Sequence, residues 1–132
     1  MSTDENRAVT KRVFDALGKG DLSVAQKVLG ADLQKGADAS AKVAKRALPD
    51  LRIRLEDMIA EGDKVVARWS ASGTHKGAVK HALFGSVKAT GKPLHVTGIT
   101  ILRFENGRVA ETWGLTDELG GATQLGLVRK RA

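Results

Sequence analysis

Two carboxylates lie in the last extended segment of the chain, where their spacing could support proton transfer. Glu111 and Asp117 share the parity of Val109, Trp113 and Leu115. Alternate residues of a β-strand face the same side, so an unbulged strand would put all five on one face. Three of them are apolar, which predicts that this face is buried. A carboxylate that loses its hydration becomes a stronger general base.

A second interpretation of the same residues involves no catalysis. Glu111 could pair with an arginine of a neighbouring strand, for example Arg68 or Arg103. Asp117 could serve as the N-cap of a short final helix. A cap and a base are compatible, so the sequence leaves both open for Asp117.

The three histidines are His75, His81 and His95, and their spacing matches no metal-binding motif. The sequence therefore predicts no metal site. His75 ends a predicted strand, where it could face the mouth of a cavity or lie exposed in a turn. His81 is predicted to lie in a surface loop, and the facing of His95 at the start of a strand is undecided.

Other common catalytic patterns are missing from the sequence. It contains no cysteine, which excludes thiolate metal sites, disulfides and cysteine nucleophiles. The Gly-x-Ser-x-Gly elbow of serine hydrolases is absent, and no glycine-rich phosphate loop is present. The carboxylates are therefore the more informative candidate group in this sequence.

Length and composition predict one soluble domain over residues 1–132. The 132 residues include 42% hydrophobic and 28% charged residues, which indicates neither disorder nor a membrane span. The polar N-terminus shows no secretory signal, so a cytoplasmic protein without a membrane partner is expected. The net charge is +7, but the basic residues are scattered, and the only dense cluster is Arg129-Lys130-Arg131. We expect a solvated basic surface rather than a nucleic-acid site, with weak binding to anionic metabolites or surfaces as a further reading.

Helical periodicity dominates the first 48 residues. Ser2 and Glu5 form a capping box ahead of a first helix that stops near Gly18. A second helix is predicted from Asp21 to Gly30, and a third from Ala39 to Leu48, before Pro49.

The period changes to two after Pro49, which predicts strands. Extended segments are expected over residues 51–56, 64–72, 94–104 and 108–115. Residues 73–92 predict a long loop that could contain a short strand or helix, and a short final helix is expected within 117–127. Asn106-Gly107 is the strongest hairpin signal. Helices followed by antiparallel strands predict an α+β fold with a concave pocket between the two layers.

Apolar residues on both faces of the last hairpin suggest that a second protein surface covers one of them. A two-residue turn would pair Leu102 with Glu111 and Thr100 with Trp113. Ile99 and Ile101 then lie on the opposite face. A homodimer packed sheet to sheet would cover that face.

Several ordered segments resemble the SnoaL-like polyketide cyclase (ester cyclase) family. They are Leu48-Pro49-Asp50-Leu51, Glu61-Gly62-Asp63-Lys64-Val65-Val66-Ala67-Arg68-Trp69, Gly73-Thr74-His75-Lys76-Gly77, Ala89-Thr90-Gly91-Lys92, Gly98 to Val109, and Glu111-x-Trp113-x-x-x-Asp117 followed by Gln124-Leu125-Gly126. The resemblance implies a nuclear transport factor 2-like cone, with N-terminal helices in a strongly curved, mixed but mostly antiparallel sheet around a central pocket, commonly as a homodimer. The segment at residues 30–38 looks shorter than in other family members.

The resemblance also implies a reaction and the residues that perform it. In the cyclases of this family an aspartate removes a proton next to a carbonyl, and the carbanion closes a ring by intramolecular aldol attack without metal or cofactor. The matching position is Asp117, and His75 is the candidate proton donor. The substrate would be a hydrophobic keto or polycyclic molecule, and the residues predicted to bind it are Trp113, Glu111, Trp69, Leu115 and Phe14. A non-catalytic small-molecule-binding protein of the same fold is the alternative, and an interaction module that uses an exposed sheet face is a third.

Overall fold

The computed structural model describes residues 2–81 and 83–128, and helices precede strands in it as the periodicity predicts. The helices are α1 (Thr3–Gly18), α2 (Ser23–Val28), α3 (Ala31–Ala47) and α4 (Glu118–Gln124). The strands are β1 (Arg52–Glu61), β2 (Lys64–Thr74), β3 (Val79–His81), β4 (Gly85–Val87), β5 (Pro93–Glu105) and β6 (Arg108–Thr116). The basic cluster Arg129-Lys130-Arg131 lies outside the described residues.

A capping signal of the sequence accounts for the start of α1, whereas α2 and α3 begin without a side-chain cap. Ser2 is the N-cap of α1, and its hydroxyl accepts a hydrogen bond from the backbone N–H of Glu5 at 3.1 Å. The carboxylate of Asp21 accepts from the N–H of Ser23 at 2.9 Å, although the helix itself starts at Ser23 and ends at Val28. The third helix was expected from Ala39, and this boundary is wrong, because α3 begins eight residues earlier at Ala31. The short segment at residues 30–38 is thus part of a helix.

Four long strands form one antiparallel sheet in the order β1-β2-β5-β6, and β3 pairs with β4 in a separate hairpin. The predicted loop over residues 73–92 contains this hairpin. Asn106 and Gly107 both have positive φ, 51° and 77°, as a type I′ turn between β5 and β6 requires. A single parallel bridge between Leu29 and Val109 connects the end of α2 to the sheet.

The core lies between α1, α2 and one face of the sheet, which we call the inner face. One buried cluster contains Val9, Val65, Phe104 and Val109, and a second contains Val13, Phe14, Leu17 and Ala67. Val65 and Ala67 are fully buried because alternate residues of β2 point toward the helices. The residues of β2 that alternate with them point to the opposite face, which we call the outer face. This division into two faces decides where each candidate site residue lies.

Candidate functional site

A groove on the outer face crosses the end of the sheet where β6 leads into α4. Its volume is about 640 Å³, within the usual range of small-molecule sites. Mostly apolar side chains form its floor, and hydroxyl and charged groups lie at its rim. We call it the outer-face groove; its lining residues are Arg68, Thr97, Gly98, Ile99, Ile101, Trp113, Gly114, Leu115, Thr116 and Asp117.

A β-bulge at Ala110 places Trp113 and Leu115 on this outer face. Arg103 pairs with Glu111 and Phe104 pairs with Val109, so β6 has one extra residue between the two pairs. The extra residue inverts the parity of everything that follows it. The predicted pairing of Leu102 with Glu111 is therefore wrong, because Leu102 pairs with Thr112.

The predicted burial of this strand face is also wrong. Val109 is buried, but Trp113 is 46% exposed and Leu115 is 83% exposed. The helices cover only the face on which Val109 lies, and the bulge moves the later apolar residues away from it. Trp113 and Leu115 therefore line the outer-face groove and not the interior of the fold.

Glu111 forms an ion pair and lies outside the groove lining. Its carboxylate accepts a hydrogen bond from the Nε–H of Arg103 at 2.7 Å, and Glu105 binds the Nη1 of the same guanidinium at 2.8 Å. These hydrogen bonds to Glu105 and Glu111 raise the pKa of Arg103. The interpretation that Glu111 pairs with an arginine of a neighbouring strand is thus confirmed, and that arginine is Arg103. Glu111 does not line the outer-face groove.

Asp117 lies at the rim of the outer-face groove and caps α4. Its Oδ1 accepts a hydrogen bond from the N–H of Gly120 at 2.9 Å, and its own N–H donates to the carbonyl of Thr97 at 2.9 Å. Within residues 2–81 and 83–128, no hydrogen bond engages Oδ2. The residue is exposed, so the expectation of a carboxylate in a dry hollow is wrong. The capping expectation is confirmed, and one carboxylate oxygen remains available beside the apolar floor.

His75 is buried elsewhere, at the end of β2. It is only 2% exposed, and its Nδ1 accepts a hydrogen bond from the N–H of Thr90 at 3.2 Å. An acceptor at Nδ1 places the ring proton on Nε2, which is buried and has no hydrogen-bond partner in the described part of the chain. His75 lines neither the outer-face groove nor the interior cavity described below. The structure therefore does not bring His75 and Asp117 together.

The other two histidines make local contacts. The Nδ1 of His81 accepts from the N–H of Leu83 at 3.0 Å within the β3–β4 hairpin. His95 is exposed, and its backbone exchanges two hydrogen bonds with the side chain of Gln124 at 2.7 and 2.6 Å. The two hydrogen bonds between His95 and Gln124 tie α4 to β5. No group of three or more His, Asp or Glu side chains that could hold a metal ion is found in the described ranges.

A second, smaller cavity lies in the interior between the helices and the inner face. Its volume is about 170 Å³, and it is lined by Val9, Thr10, Val13, Phe14, Leu17, Ala25, Val28, Leu29, Thr100, Leu102, Phe104 and Val109. Of the five residues predicted to bind substrate, Phe14 is thus the one that lines this interior cavity. No carboxylate or histidine is among these residues, so the cavity offers shape and apolar surface but no acid or base.

Trp69 lies on the inner face beside this cavity. Its Nε1–H donates a hydrogen bond to the hydroxyl of Thr100 at 2.9 Å, and its ring covers Gly98. A Cβ at position 98 would collide with the indole, so glycine is required there for close packing. Of the five predicted binding residues, Trp113 and Leu115 meet in the groove, whereas Trp69, Phe14 and Glu111 lie elsewhere.

Sequence reasoning missed Arg68 as a member of the groove. The sequence suggests Arg68 only as a partner for Glu111, yet it lies opposite Ile99 on the outer face and lines the groove with Asp117. The alternation of β2 did contain the signal, because Arg68 falls between the inward residues Ala67 and Trp69. Recognising it also required the bulge in β6, which the sequence did not reveal.

Comparison with known proteins identifies the fold and a family. The model of the family described as SnoaL-like polyketide cyclase matches residues 8–125. No curated protein sequence matches the chain at a significant level. Within the described ranges, none of the helices is long and apolar enough to cross a membrane.

Solved structures with the same fold match nearly the whole chain. TsrD from Streptomyces laurentii is 26% identical with a TM-score of 0.83, and the match covers 97% of this chain and 99% of that one. AclR from Streptomyces galilaeus is 24% identical with a TM-score of 0.83, covering 98% and 89%. A SnoaL-like polyketide cyclase from Agrobacterium tumefaciens is 16% identical with a TM-score of 0.75, covering 96% and 100%. The nuclear transport factor 2-like α+β architecture implied by the resemblance is confirmed.

Proposed function

Because the chain belongs to the SnoaL-like polyketide cyclase family, we propose that it acts on a hydrophobic keto or polycyclic small molecule by cofactor-free general-base chemistry. The observation that carries this proposal is the position of Asp117 at the rim of an apolar groove of about 640 Å³. Oδ1 is held by the α4 N-terminus, and Oδ2 is available to a ligand on the floor. The interior cavity lacks any comparable group.

The proposed reaction needs only the carboxylate and the substrate's own electrons. Asp117 removes a proton from the carbon next to a carbonyl, and the C–H electron pair becomes part of an enolate. The enolate carbon attacks a second carbonyl of the same molecule, and a carbon–carbon bond forms as the carbonyl π electrons move to oxygen. The resulting alkoxide takes up a proton from water, and Asp117 releases its own proton to water, which restores the carboxylate. Exposure of Asp117 in the protomer means that the bound ligand must itself exclude water from the carboxylate. An apolar ligand on the floor of the groove would do this.

The experiment measures proton abstraction directly. The protein is incubated in D₂O with a panel of cyclic and fused-ring ketones, and α-carbon deuteration is followed by NMR. Asp117→Asn keeps an N-cap, since asparagine caps as well as aspartate, but removes the base. We expect deuteration by the wild type to fall on the order of 100-fold or more in Asp117→Asn, the usual contribution of a general base. Glu118→Gln removes the neighbouring exposed carboxylate, which does not line the groove, and should behave as wild type.

A second function, ligand binding without catalysis, is favoured by a specific observation. Asp117 is exposed, and its carboxylate already has a structural role as the N-cap of α4. In that case ketones would bind equally to wild type and Asp117→Asn, and neither protein would deuterate any of them. Unchanged deuteration rates in Asp117→Asn would also reject the assignment of the base.

We further propose that two copies of the chain associate through the outer face. Ile59, Val66, Ile101 and Trp113 form a row across all four strands, and Ile59 is 63% exposed. Exposed apolar rows of this kind commonly mark protein contacts. Ile59 and Val66 lie outside the groove lining, so we place the contact on β1 and β2. Sedimentation velocity should show a dimer for the wild type and a monomer for Ile59→Lys; a monomeric wild type would contradict the proposal.

A further inference from the structure

The β3–β4 hairpin ends in two large apolar side chains that the rest of the fold does not cover. Leu83 is 78% exposed and Phe84 is 36% exposed, and we call this pair the hairpin tip. A Cβ added at the next residue, Gly85, would meet no atom beyond its chain neighbours within 4 Å, so the chain lies in open space here. Large apolar side chains that are exposed side by side commonly mark a contact surface.

The stem of the hairpin is tied to the body of the protein at both ends. The N–H groups of Lys76 and Gly77 donate to the carbonyl of Ala47 at the end of α3, at 2.9 and 3.2 Å. Where the chain returns from the hairpin, the N–H of Gly91 donates to the carbonyl of His75 at 2.8 Å. The hairpin therefore stands on a fixed base.

The tip itself has a defined local conformation. The N–H of Leu83 donates to the Nδ1 of His81 at 3.0 Å. The rings of His81 and Phe84 lie with their centres 4.9 Å apart. Because these contacts already order the tip, less conformational entropy is lost when it binds another surface.

The hairpin belongs to a part of the chain that carries only positive charge. Residues 64–104 contain five Lys and two Arg but no Asp or Glu. Lys76, Lys80 and Lys88 are exposed around the hairpin, and none of them has a carboxylate within 4 Å in the described part of the chain. Asp50 lies near enough to the stem to interact with Lys76. Lys80 and Lys88 are thus the cations that flank the tip without a neighbouring acid in their own segment.

We propose that the β3–β4 hairpin docks on an anionic lipid surface, with Leu83 and Phe84 entering the headgroup region while Lys80 and Lys88 contact lipid phosphates. Apolar side chains and lysines at one surface are the combination that binds the interface of anionic membranes. The sequence predicts no membrane partner because it has no apolar span, and docking by a hairpin requires none. The tip does not line the outer-face groove, so the proposal is independent of the reaction.

A lipid surface suits this element better than an acidic protein does. A stable protein contact buries about 800 Å² on each partner, which is far more than two side chains at the end of a hairpin can supply. A lipid surface needs no complementary shape, because its molecules rearrange around the inserted side chains. The small inserted area also predicts reversible binding rather than permanent attachment.

Co-sedimentation with vesicles tests the proposal. The probes are vesicles of phosphatidylcholine alone and vesicles with equal parts of phosphatidylcholine and phosphatidylglycerol. The wild type should bind only the anionic vesicles, and more weakly as the salt concentration rises. Leu83→Ser should lower the partition constant on the order of tenfold, because a buried apolar side chain is lost. Leu119→Ser makes the same substitution at an exposed position of α4 and should bind as the wild type does.

Paired lysine variants separate local charge from net charge. Lys80→Gln combined with Lys88→Gln removes the two cations beside the tip, and each should weaken binding roughly fivefold. Lys35→Gln combined with Lys42→Gln removes the same charge from exposed positions of α3. Charges away from the lipid surface are screened by salt, so this control should weaken binding by less than about twofold.

A fluorescent label reports insertion directly. The chain contains no cysteine, so one introduced thiol can be labelled alone. An environment-sensitive fluorophore on Ser86→Cys, beside the tip, should shift its emission to shorter wavelength with anionic vesicles. The same fluorophore on Ser40→Cys, exposed on α3, should not shift.

Four results would overturn the proposal. The first is a wild type that does not bind the anionic vesicles, and the second is binding that Leu83→Ser leaves unchanged or that both lysine pairs weaken equally. The third is self-association of the wild type that Leu83→Ser abolishes, which would assign the tip to a second copy of the chain. The fourth is equal binding to soluble polyglutamate, with the same loss in Leu83→Ser, which would assign the tip to an acidic protein.

Discussion

The interior cavity provides the sharpest quantitative prediction. A cavity of about 170 Å³ corresponds to on the order of 4 kcal/mol of lost packing stabilisation, at roughly 24 cal/mol per Å³. Ala25 on α2 lines it. Ala25→Leu adds three carbon atoms, which are worth about 2.4 kcal/mol when buried, less about 1 kcal/mol for fixing the longer side chain. We therefore expect a gain of about 1.5 kcal/mol in the free energy of unfolding.

The measurement is thermal and urea unfolding of Ala25→Leu beside a matched control. A gain of this size should raise the Tm by roughly 4–8 °C for a domain of this length. Ala8→Leu makes the same substitution at an exposed position of α1 and should change the stability by less than about 0.5 kcal/mol. A loss of more than about 1 kcal/mol in Ala25→Leu would refute the reasoning, because it would mean that the cavity cannot accept added atoms.

The same variant discriminates between the two candidate ligand sites. Fused-ring ketones bound in the outer-face groove should keep their affinity in Ala25→Leu, since Ala25 does not line that groove. If the variant is stabilised but no longer binds them, the interior cavity is the binding site. Assignment of the chemistry to Asp117 would then be wrong.

Two further predictions concern groups that hold the end of β2. His75→Ala removes the buried acceptor of the Thr90 N–H and should cost roughly 2 kcal/mol in urea unfolding; a change below about 0.5 kcal/mol would show that this contact is unimportant. Asp50 accepts hydrogen bonds from the N–H and hydroxyl of Thr74, and these bonds lower its pKa. A lowered folded-state pKa means that the contribution of Asp50 is present above about pH 4, the ordinary pKa of aspartate, and is lost as the pH falls through the lowered value. Asp50→Asn should therefore be less stable than the wild type at pH 6, with a difference that shrinks below about pH 4; a constant difference across that range would contradict this.

Local signals predicted the elements well because each depends on a few adjacent residues. The Ser2 cap, the Asn106-Gly107 turn and the change of period after Pro49 all appear in the structure where expected. The start of α3 was missed because the segment from Ala31 has few apolar residues, and its burial is slight. Helix formation there follows from neighbouring structure more than from periodicity.

The site was harder to predict because it depends on parity along one strand. A bulge of one residue at Ala110 leaves the composition of β6 unchanged but reverses which side of the sheet Trp113 and Leu115 face. Position 110 is alanine and not glycine, the residue that often marks a bulge, so the sequence gives no sign of the extra residue. The sequence predicts Asp117 as a cap, as a base or as both, and the cap is confirmed by its hydrogen bond from the N–H of Gly120. His75 was predicted at a strand end, but whether it faces solvent or the interior depends on Thr90, fifteen residues away.

The extra residue in β6 can be removed without turning the strand over. Val109 and Glu111 already face opposite sides of the sheet, so deleting Ala110 would make the ladder with β5 regular while Trp113 kept its outward direction. A one-residue deletion between Glu111 and Trp113 would instead turn the indole toward the helices. The exposed aromatic surface therefore depends on the spacing that follows the irregularity and tolerates loss of the irregularity itself.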